Sequence, residues 1–309
     1  MTFSASDAAF EGFRLVRRKP MALVAWTLLY AVLSLASLFA MSSAIEPLMA
    51  WAERMEALDS GTATPSAEEV LAAFQGLGEV MLSLAWLIPV SLIVGAMLMA
   101  AVARAVLNPR AGGFGYLRLG MDELRVFVVT LVLAILMFCA WVAVGALVGV
   151  LAGIAGATGA NWLWLVVILG GLAGVGAVIW LAIRLSLAVP ITVAENRFAF
   201  FDSFGVTKGR FWPLFGMAVI TIVMVLVVQF LLGIVTMPLA LMTGQQMWTF
   251  GAGQDPEALR TALDVTNPWV IASALAEAVV YALTVGVMYA PFAAAYRDIK
   301  GLGAETPTA

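Results

Sequence analysis

The longest stretch without a charged residue, at positions 126–183, reads "VFVVTLVLAILMFCAWVAVGALVGVLAGIAGATGANWLWLVVILGGLAGVGAVIWLAI". Its 58 residues far exceed the roughly 20 apolar residues that a bilayer-spanning helix needs. The segment "GATGAN", at positions 156–161, supplies small and turn-forming residues near its middle. This stretch therefore predicts two membrane-spanning helices joined by a short turn.

The rest of the chain has the same character. It is 63% hydrophobic and 11% charged, whereas soluble domains carry about 25% charged residues. Further apolar runs predict six spans in all, at 20–46, 80–107, 124–155, 161–189, 212–243 and 268–296. The predicted fold class is an all-α, polytopic bundle of six transmembrane helices.

The basic residues alternate with these spans. If the N-terminus lies in the cytoplasm, 14 of the 16 Lys and Arg residues fall on the inner side, and Arg54 and Arg260 fall outside. This is the positive-inside distribution of a multi-pass protein. We therefore expect a bacterial inner (cytoplasmic) membrane protein with both termini cytoplasmic. Its net positive inner face favours anionic lipid.

Several kinds of chemistry have no residues to perform them. The chain contains no His and a single Cys, Cys139, which excludes internal disulfides, His-ligated metals and Ser-His nucleophiles. No nucleotide-binding or hydrolase motif is present. We expect no enzymatic activity, no cofactor, no metal and no nucleic-acid partner.

Amphipathic segments precede the odd-numbered spans. The clearest lies at 200–212, where Phe and Trp residues recur on one helical face beside cations, as in helices that lie in the membrane interface. Gly113, Gly205 and Gly209 lower the helical propensity of two of these segments. The pattern predicts a single membrane domain of three interfacial-helix-plus-hairpin units, at 1–109, 110–190 and 191–301, with a disordered tail at 302–309. Aromatic and basic flanks common to any inner-membrane hairpin explain it equally.

The two long outer loops are predicted to form short helices. One begins at Pro65, with Ser66 and Glu69 spaced as a capping box. The other lies at 254–264, and Asn267 caps the sixth span. Neither loop is large enough for a separate catalytic domain.

Basic residues at the inner boundary are the candidates for lipid contact. Arg104, Arg184 and Arg297 end the three even-numbered spans, so they either anchor the helices or converge on an anionic headgroup. Lys208 and Trp212 belong to the predicted interfacial segment and are expected to reach the headgroups.

Glu277 is the acidic residue inside a span, and Gln229 lies at a similar depth on the fifth span. A charge at mid-span costs about 2.5–3.5 kcal/mol. The two side chains therefore either form a polar site for a proton, an ion or a headgroup, or lock spans five and six together.

Glycines mark the hairpin of spans three and four. Gly145, Gly149 and Gly153 recur every fourth residue on the third span, and Gly170 and Gly174 lie on the fourth. Small residues let helix backbones approach closely in lipid. We predict tight packing of the hairpin with Gly145 opposite Gly170, and a dimer seam or a permeation route as alternatives.

The last third of the chain resembles a known group of membrane domains. Its features are a span ending "RLSLAVP" at 184–190, an acid at Glu195, "SFGVTKG" at 203–209 and a close near Tyr296 and Arg297. They resemble a bacterial membrane-domain family that occurs fused to glycerophosphodiester phosphodiesterases and, alone, as inner-membrane proteins of unknown role. The resemblance implies a membrane module without the hydrolase activity, since the catalytic barrel of such fusions is a separate soluble domain.

Two functions follow. The first is a non-enzymatic accessory or lipid-associated module whose partners are anionic membrane lipids, with a protein partner or a homo-oligomer left open. The second is a small transporter or channel that uses Glu277 and Gln229.

Overall fold

The computed structural model describes residues 4–60, 66–110, 112–242 and 264–302. Within these ranges the chain forms helices and turns, and no residue belongs to a strand. The α-helices of the described residues are α1 Ala5–Ala9, α2 Glu11–Arg18, α3 Pro20–Ser60, α4 Ala67–Leu84, α5 Leu87–Leu107, α6 Met121–Thr158, α7 Asn161–Leu185, α8 Ala188–Glu195, α9 Asp202–Val206, α10 Phe211–Met242 and α11 Pro268–Lys300.

Six helical segments are long and apolar enough to cross a membrane. They are Pro20–Met55, Leu87–Leu107, Met121–Thr158, Asn161–Glu195, Phe211–Leu239 and Pro268–Lys300. Each corresponds to one predicted span, so the prediction of an all-α protein with six spans is confirmed.

The first two spans differ from the prediction at their ends. The helix α3 continues through Pro47 to Ser60 instead of stopping near residue 46. The second span begins at Leu87 rather than 80, because α4 ends at Leu84 and Pro89 occupies the first turn of α5, where a missing N–H costs least. An apolar run in the sequence predicts the part of a helix that lies in lipid. The helix itself ends where its backbone hydrogen bonds end, which is at a different residue in both spans.

The predicted interfacial segments are mostly short. Before the third span the chain forms a 3₁₀ turn, Phe114–Tyr116, flanked by Gly113 at φ 129° and containing Gly115 at φ 64°. Before the fifth span it forms the five-residue α9 and a turn with Gly209 at φ 74°. No continuous helix therefore covers 200–212. The segment is broken at Gly209, in keeping with the low helical propensity of its glycines. The three interfacial-helix-plus-hairpin units stay a prediction.

Two of the sequence predictions fall largely outside the described residues. These are the loop helix at 254–264, apart from Asp264, and the tail at 302–309, apart from Leu302. The cap of the sixth span is present, since the Asn267 side-chain oxygen accepts from the backbone N–H of Trp269 at 3.0 Å.

The chain divides into two compact units. Unit 1 comprises Met1–Pro20, Ala96–Val225 and Val285–Ala309, and unit 2 comprises Met21–Gly95 and Leu226–Thr284. By sequence, unit 1 holds 14 basic and 8 acidic residues, a net charge of +6. Unit 2 holds 2 basic and 11 acidic residues, a net charge of −9. The two units thus carry opposite charge.

Unit 1 is built around close contacts of helix ends. The helix α6 packs against α7 and α8, and α9 packs against the same two helices. The helix α2 lies directly on α11, because a Cβ atom on Gly12 would stand 2.5 Å from the Val287 Cα and 2.9 Å from the Gly286 carbonyl oxygen. Glycine at position 12 permits this approach.

Unit 2 buries small side chains and exposes large ones. Ala40, Ala278 and Ala282 are fully buried, whereas Phe230 and Val235 of α10 are each 71% exposed. Exposed apolar side chains along spanning helices are those that lipid contacts.

Candidate functional site

Arg104 lies in a buried polar cluster of unit 1. Its guanidinium forms an ion pair with Glu123 of α6 and donates to the backbone carbonyl of Tyr116. The side chains of Arg104 and Glu123 are 8% and 7% exposed. The Tyr116 hydroxyl donates to the Pro109 carbonyl at 3.0 Å. Arg104 therefore ties the end of α5 to the loop that precedes α6.

Arg184 sits between aromatic rings at the end of α7. Its guanidinium carbon is 5.6 Å from the ring centroids of both Trp180 and Phe204, within the range of a cation–π contact. Its Nη1 atom donates to the Thr207 hydroxyl at 3.2 Å. Ser203 donates to the Arg184 carbonyl at 2.6 Å. The segment "SFGVTKG" thus folds back on the span that ends "RLSLAVP".

Arg297 belongs to a third cluster, which joins α2 to α11. Its Nη1 atom is 3.4 Å from a Glu11 carboxylate oxygen, and its Nε atom is 3.2 Å from Asp298. The residue directly before Arg297, Tyr296, donates to Glu195 at 3.0 Å. Unlike the basic residues of a free surface, Arg297 is half-buried and paired on both sides.

Arg197 also contacts Glu195, and it lies outside the membrane-spanning segments. It pairs with Asp202 at 2.9 Å and with Glu195 at 2.6 Å. Hydrogen bonds to Asp202 and then to Glu195 raise the pKa of Arg197 above its ordinary value. Some residues of the resemblance motif therefore contact one another within unit 1: Arg184 contacts Ser203 and Thr207, and Tyr296 contacts Glu195.

The three arginines predicted to contact lipid phosphate each have protein partners. They lie in three different clusters, around Glu123, around Thr207 and around Glu11. A headgroup that used Arg104 would have to break a buried ion pair, which is costly. This cost favours an anchoring role for Arg104, and lipid contact by Arg184 and Arg297 stays a prediction.

A basic groove lies at the entry to the first span. It has a volume of about 240 Å³ and is lined by Phe13, Arg14, Arg17 and Arg18 of α2. Arg14 is bonded to Asp7 at 2.9 Å, and this hydrogen bond raises its pKa. Arg17 and Arg18 are exposed, and within the described part of the chain neither forms an ion pair. Since α3 begins at Pro20, both guanidiniums lie within a turn of the span.

Lys208 and Trp212 are both on the surface of unit 1. Lys208 is exposed, and Trp212 at the start of α10 is 75% exposed. The Trp212 ring contacts Phe211 and Phe215, with centroids 5.4 and 6.1 Å apart. Aromatic rings at the end of a spanning helix occupy the headgroup region.

Glu277 lines a cavity of about 510 Å³ that lies entirely in unit 2. No other described residue forms a hydrogen bond or an ion pair with its carboxylate. The polar side chains around it come from α3, α5 and α11; they are Tyr30, Ser34, Ser37, Ser91, Ser273 and Tyr281. The rings of Tyr30 and Tyr281 are stacked, with centroids 5.8 Å apart.

Gln229 is not part of that cavity. Its side-chain amide donates to the Thr284 hydroxyl at 3.1 Å, which links α10 to α11 within unit 2. The structure therefore does not bring Gln229 and Glu277 together at one site.

The glycines of the third and fourth spans differ in how closely other residues pack against them. A Cβ on Gly174 would stand 2.6 Å from a Val144 methyl, and one on Gly170 would stand 3.2 Å from a Leu151 methyl. By contrast, no atom of the described residues lies within 4 Å of such a Cβ on Gly145, Gly149 or Gly153. Gly170 thus faces Leu151, and the three glycines of α6 do not face α7.

Sequence reasoning missed the residues that surround Glu277. Ser273, Glu277 and Tyr281 recur every fourth residue on α11, and Tyr30, Ser34 and Ser37 recur with helical spacing on α3. These two rows of polar residues in otherwise apolar spans indicate that each helix has a polar face. Their pairing across helices depends on packing that the pattern does not contain.

Together, the six helices and their flanking charges define a multi-pass integral membrane protein. The chain belongs to the family described as a domain of unknown function, DUF7847, which matches residues 6–299. No curated protein and no solved structure matches the chain. The family match provides no link to glycerophosphodiester phosphodiesterase fusions. Among the described residues, no group of three or more Cys, Asp or Glu side chains could hold a metal ion.

Proposed function

We propose that this protein is a non-enzymatic module of the bacterial inner membrane that associates with anionic lipid through unit 1. The observation that carries the proposal is the basic groove of α2. It combines the exposed Phe13 with two exposed guanidiniums, those of Arg17 and Arg18, that form no ion pair with a described residue. Cations beside exposed rings favour the interface of an anionic bilayer.

Three further features support this proposal. The α2 helix ends at Arg18 and the first span begins at Pro20, so Arg17 and Arg18 cannot lie far from the lipid boundary. Unit 1 has a net charge of +6, which attracts anionic lipid over a Debye length. Elsewhere on unit 1, Lys208 and Trp212 provide a further exposed cation and a further exposed ring. The clusters around Arg104, Arg184 and Arg297 hold the scaffold that presents these side chains.

The test is the amount of phosphatidylglycerol that copurifies with the protein, counted by native mass spectrometry. The double variant Arg17→Gln/Arg18→Gln should lower the affinity for this lipid roughly 10- to 30-fold, since each cation near the surface contributes about 1 kcal/mol. The control Arg110→Gln/Arg118→Gln removes the same charge from exposed positions of unit 1 and should retain the lipid. Equal lipid retention in both double variants would contradict the proposal.

The alternative of a small transporter or channel depended on Glu277 and Gln229 acting together. The Gln229 side chain donates a hydrogen bond to Thr284, and it does not line the cavity that contains Glu277. The residues that line the cavity favour a binding site, in which Glu277 provides the carboxylate, over a transport path that uses both side chains.

A further inference from the structure

We propose that the unit 2 cavity binds a primary alkylammonium group, with its charge at the Glu277 carboxylate. This site is separate from the lipid groove of the proposed function, and each can fail without the other. The cavity volume of about 510 Å³ is in the range of small-molecule sites, which is about 300–1,000 Å³.

Three polar groups of the cavity, those of Glu277, Ser91 and Ser273, offer acceptors to a ligand that donates hydrogen bonds. An ionised carboxylate only accepts. The hydroxyls of Ser91 and Ser273 already donate to carbonyls of their own helices, at 2.9 and 2.8 Å. Their oxygens are left as acceptors. Such a site fits a primary ammonium, which has three donors and no acceptor.

The rings and apolar side chains of the cavity point to an organic cation rather than a metal ion. The stacked pair of Tyr30 and Tyr281 lies with Glu277 on the cavity wall, and aromatic faces attract ammonium groups. Leu33, Leu38 and Met41 line the cavity as well, which favours a ligand with an alkyl part. A hard cation would instead require several carboxylate or carbonyl oxygens.

The absence of a protein counter-ion supports the same conclusion. No Lys or Arg in the described part of the chain pairs with Glu277. An intramembrane carboxylate that faces a cavity is stabilised when a cation enters it. The ammonium can come from the headgroup of an ethanolamine lipid or from a free aliphatic amine, because both present the same three donors.

Isothermal titration of the protein in phosphatidylglycerol nanodiscs with hexylammonium chloride tests the site. The wild type should bind it and should bind neither hexanol nor hexanoate. Glu277→Gln should bind roughly 10- to 100-fold more weakly, because one charge-assisted hydrogen bond is lost. The matched control Glu79→Gln removes an exposed acid of unit 2 outside the cavity and should bind as the wild type does.

Variants of Tyr281 test the site a second time, and they do so even if the protein does not fold with a substitution at Glu277. Tyr281→Phe should keep the affinity, since the ring is retained, and Tyr281→Leu should weaken it severalfold. Competition by added phosphatidylethanolamine would assign the site to a lipid headgroup, and a lack of competition would assign it to a free amine. No binding of hexylammonium to the wild type, or equal binding to the wild type and Glu277→Gln, would overturn the inference.

Discussion

The arginines at the helix ends of unit 1 and the Glu277 carboxylate of unit 2 differ in whether described residues pair with them. In unit 1, Arg104, Arg184 and Arg297 are each held by partners within the unit. In unit 2, Glu277 faces a cavity without any partner among the described residues. An ionisable group with internal partners is explained by the fold, whereas one without a described partner is a candidate for ligand binding.

Within unit 1, the same difference separates basic side chains that stabilise the fold from basic side chains that are exposed and proposed to contact lipid. Its paired arginines tie helix ends and loops together, whereas Arg17, Arg18 and Lys208 stay exposed. The sequence shows all of these residues as basic flanks of spans. Their roles become distinct only when their partners are known.

The largest expected effect comes from breaking the buried pair of unit 1. Glu123→Ala leaves the Arg104 guanidinium buried and uncompensated, and the free energy of unfolding should fall by about 3–5 kcal/mol. Reversible unfolding with SDS in mixed micelles measures it. The double variant Arg104→Met/Glu123→Leu should cost less than the single one. A loss below about 1 kcal/mol for Glu123→Ala, as for an exposed pair, would contradict the structural role.

A smaller loss is expected where α2 approaches α11. Gly12→Ala places a methyl group against the backbone of Val287, which cannot move aside as a side chain can, and should cost about 1–3 kcal/mol. Gly216→Ala is the matched control, because no atom lies within 4 Å of a Cβ at that position, and it should be close to neutral. The same SDS unfolding compares them. Equal effects of the two changes would show that α2 is not packed on α11.

The smallest effect is expected in unit 2. Gln229→Leu removes the hydrogen bond to Thr284, and interhelical hydrogen bonds in membrane proteins average about 0.6 kcal/mol. A double-mutant cycle with Thr284→Val isolates this energy. A coupling energy above about 2 kcal/mol would mean that unit 2 depends on polar pairs as unit 1 does.

The number of spans was predictable, but several helix ends were not. Uncharged runs identify the six spans because lipid excludes charge. They do not fix the end of α3, which continues past Glu46 and Pro47, since a helix outside lipid is free to carry charged residues. At the segment before α6, hydrophobic spacing predicted a helix, but Gly113 and Gly115 adopt positive φ and the chain turns instead.

The partners of the candidate residues were not predictable. Arg104 and Glu123 are 19 positions apart and on different helices, and no local pattern pairs them. The glycine stripe of α6 predicted a contact with α7, but the rotation of α6 about its axis puts Val144 and Leu151 there instead. Glu277 was predicted either as a polar site or as a lock between spans five and six, and its serine and tyrosine neighbours were not predicted, because the pattern does not show which helices pack together.

The orientation of the basic loops is the claim on which the lipid proposal depends, and cysteine labelling tests it most directly. On a Cys139→Ser background, Arg118→Cys and Asp264→Cys place single thiols at exposed positions of unit 1 and unit 2. An impermeant maleimide added to intact cells should label Asp264→Cys at once and Arg118→Cys only after the membrane is permeabilised. Immediate labelling of Arg118→Cys, with Asp264→Cys protected, would contradict it.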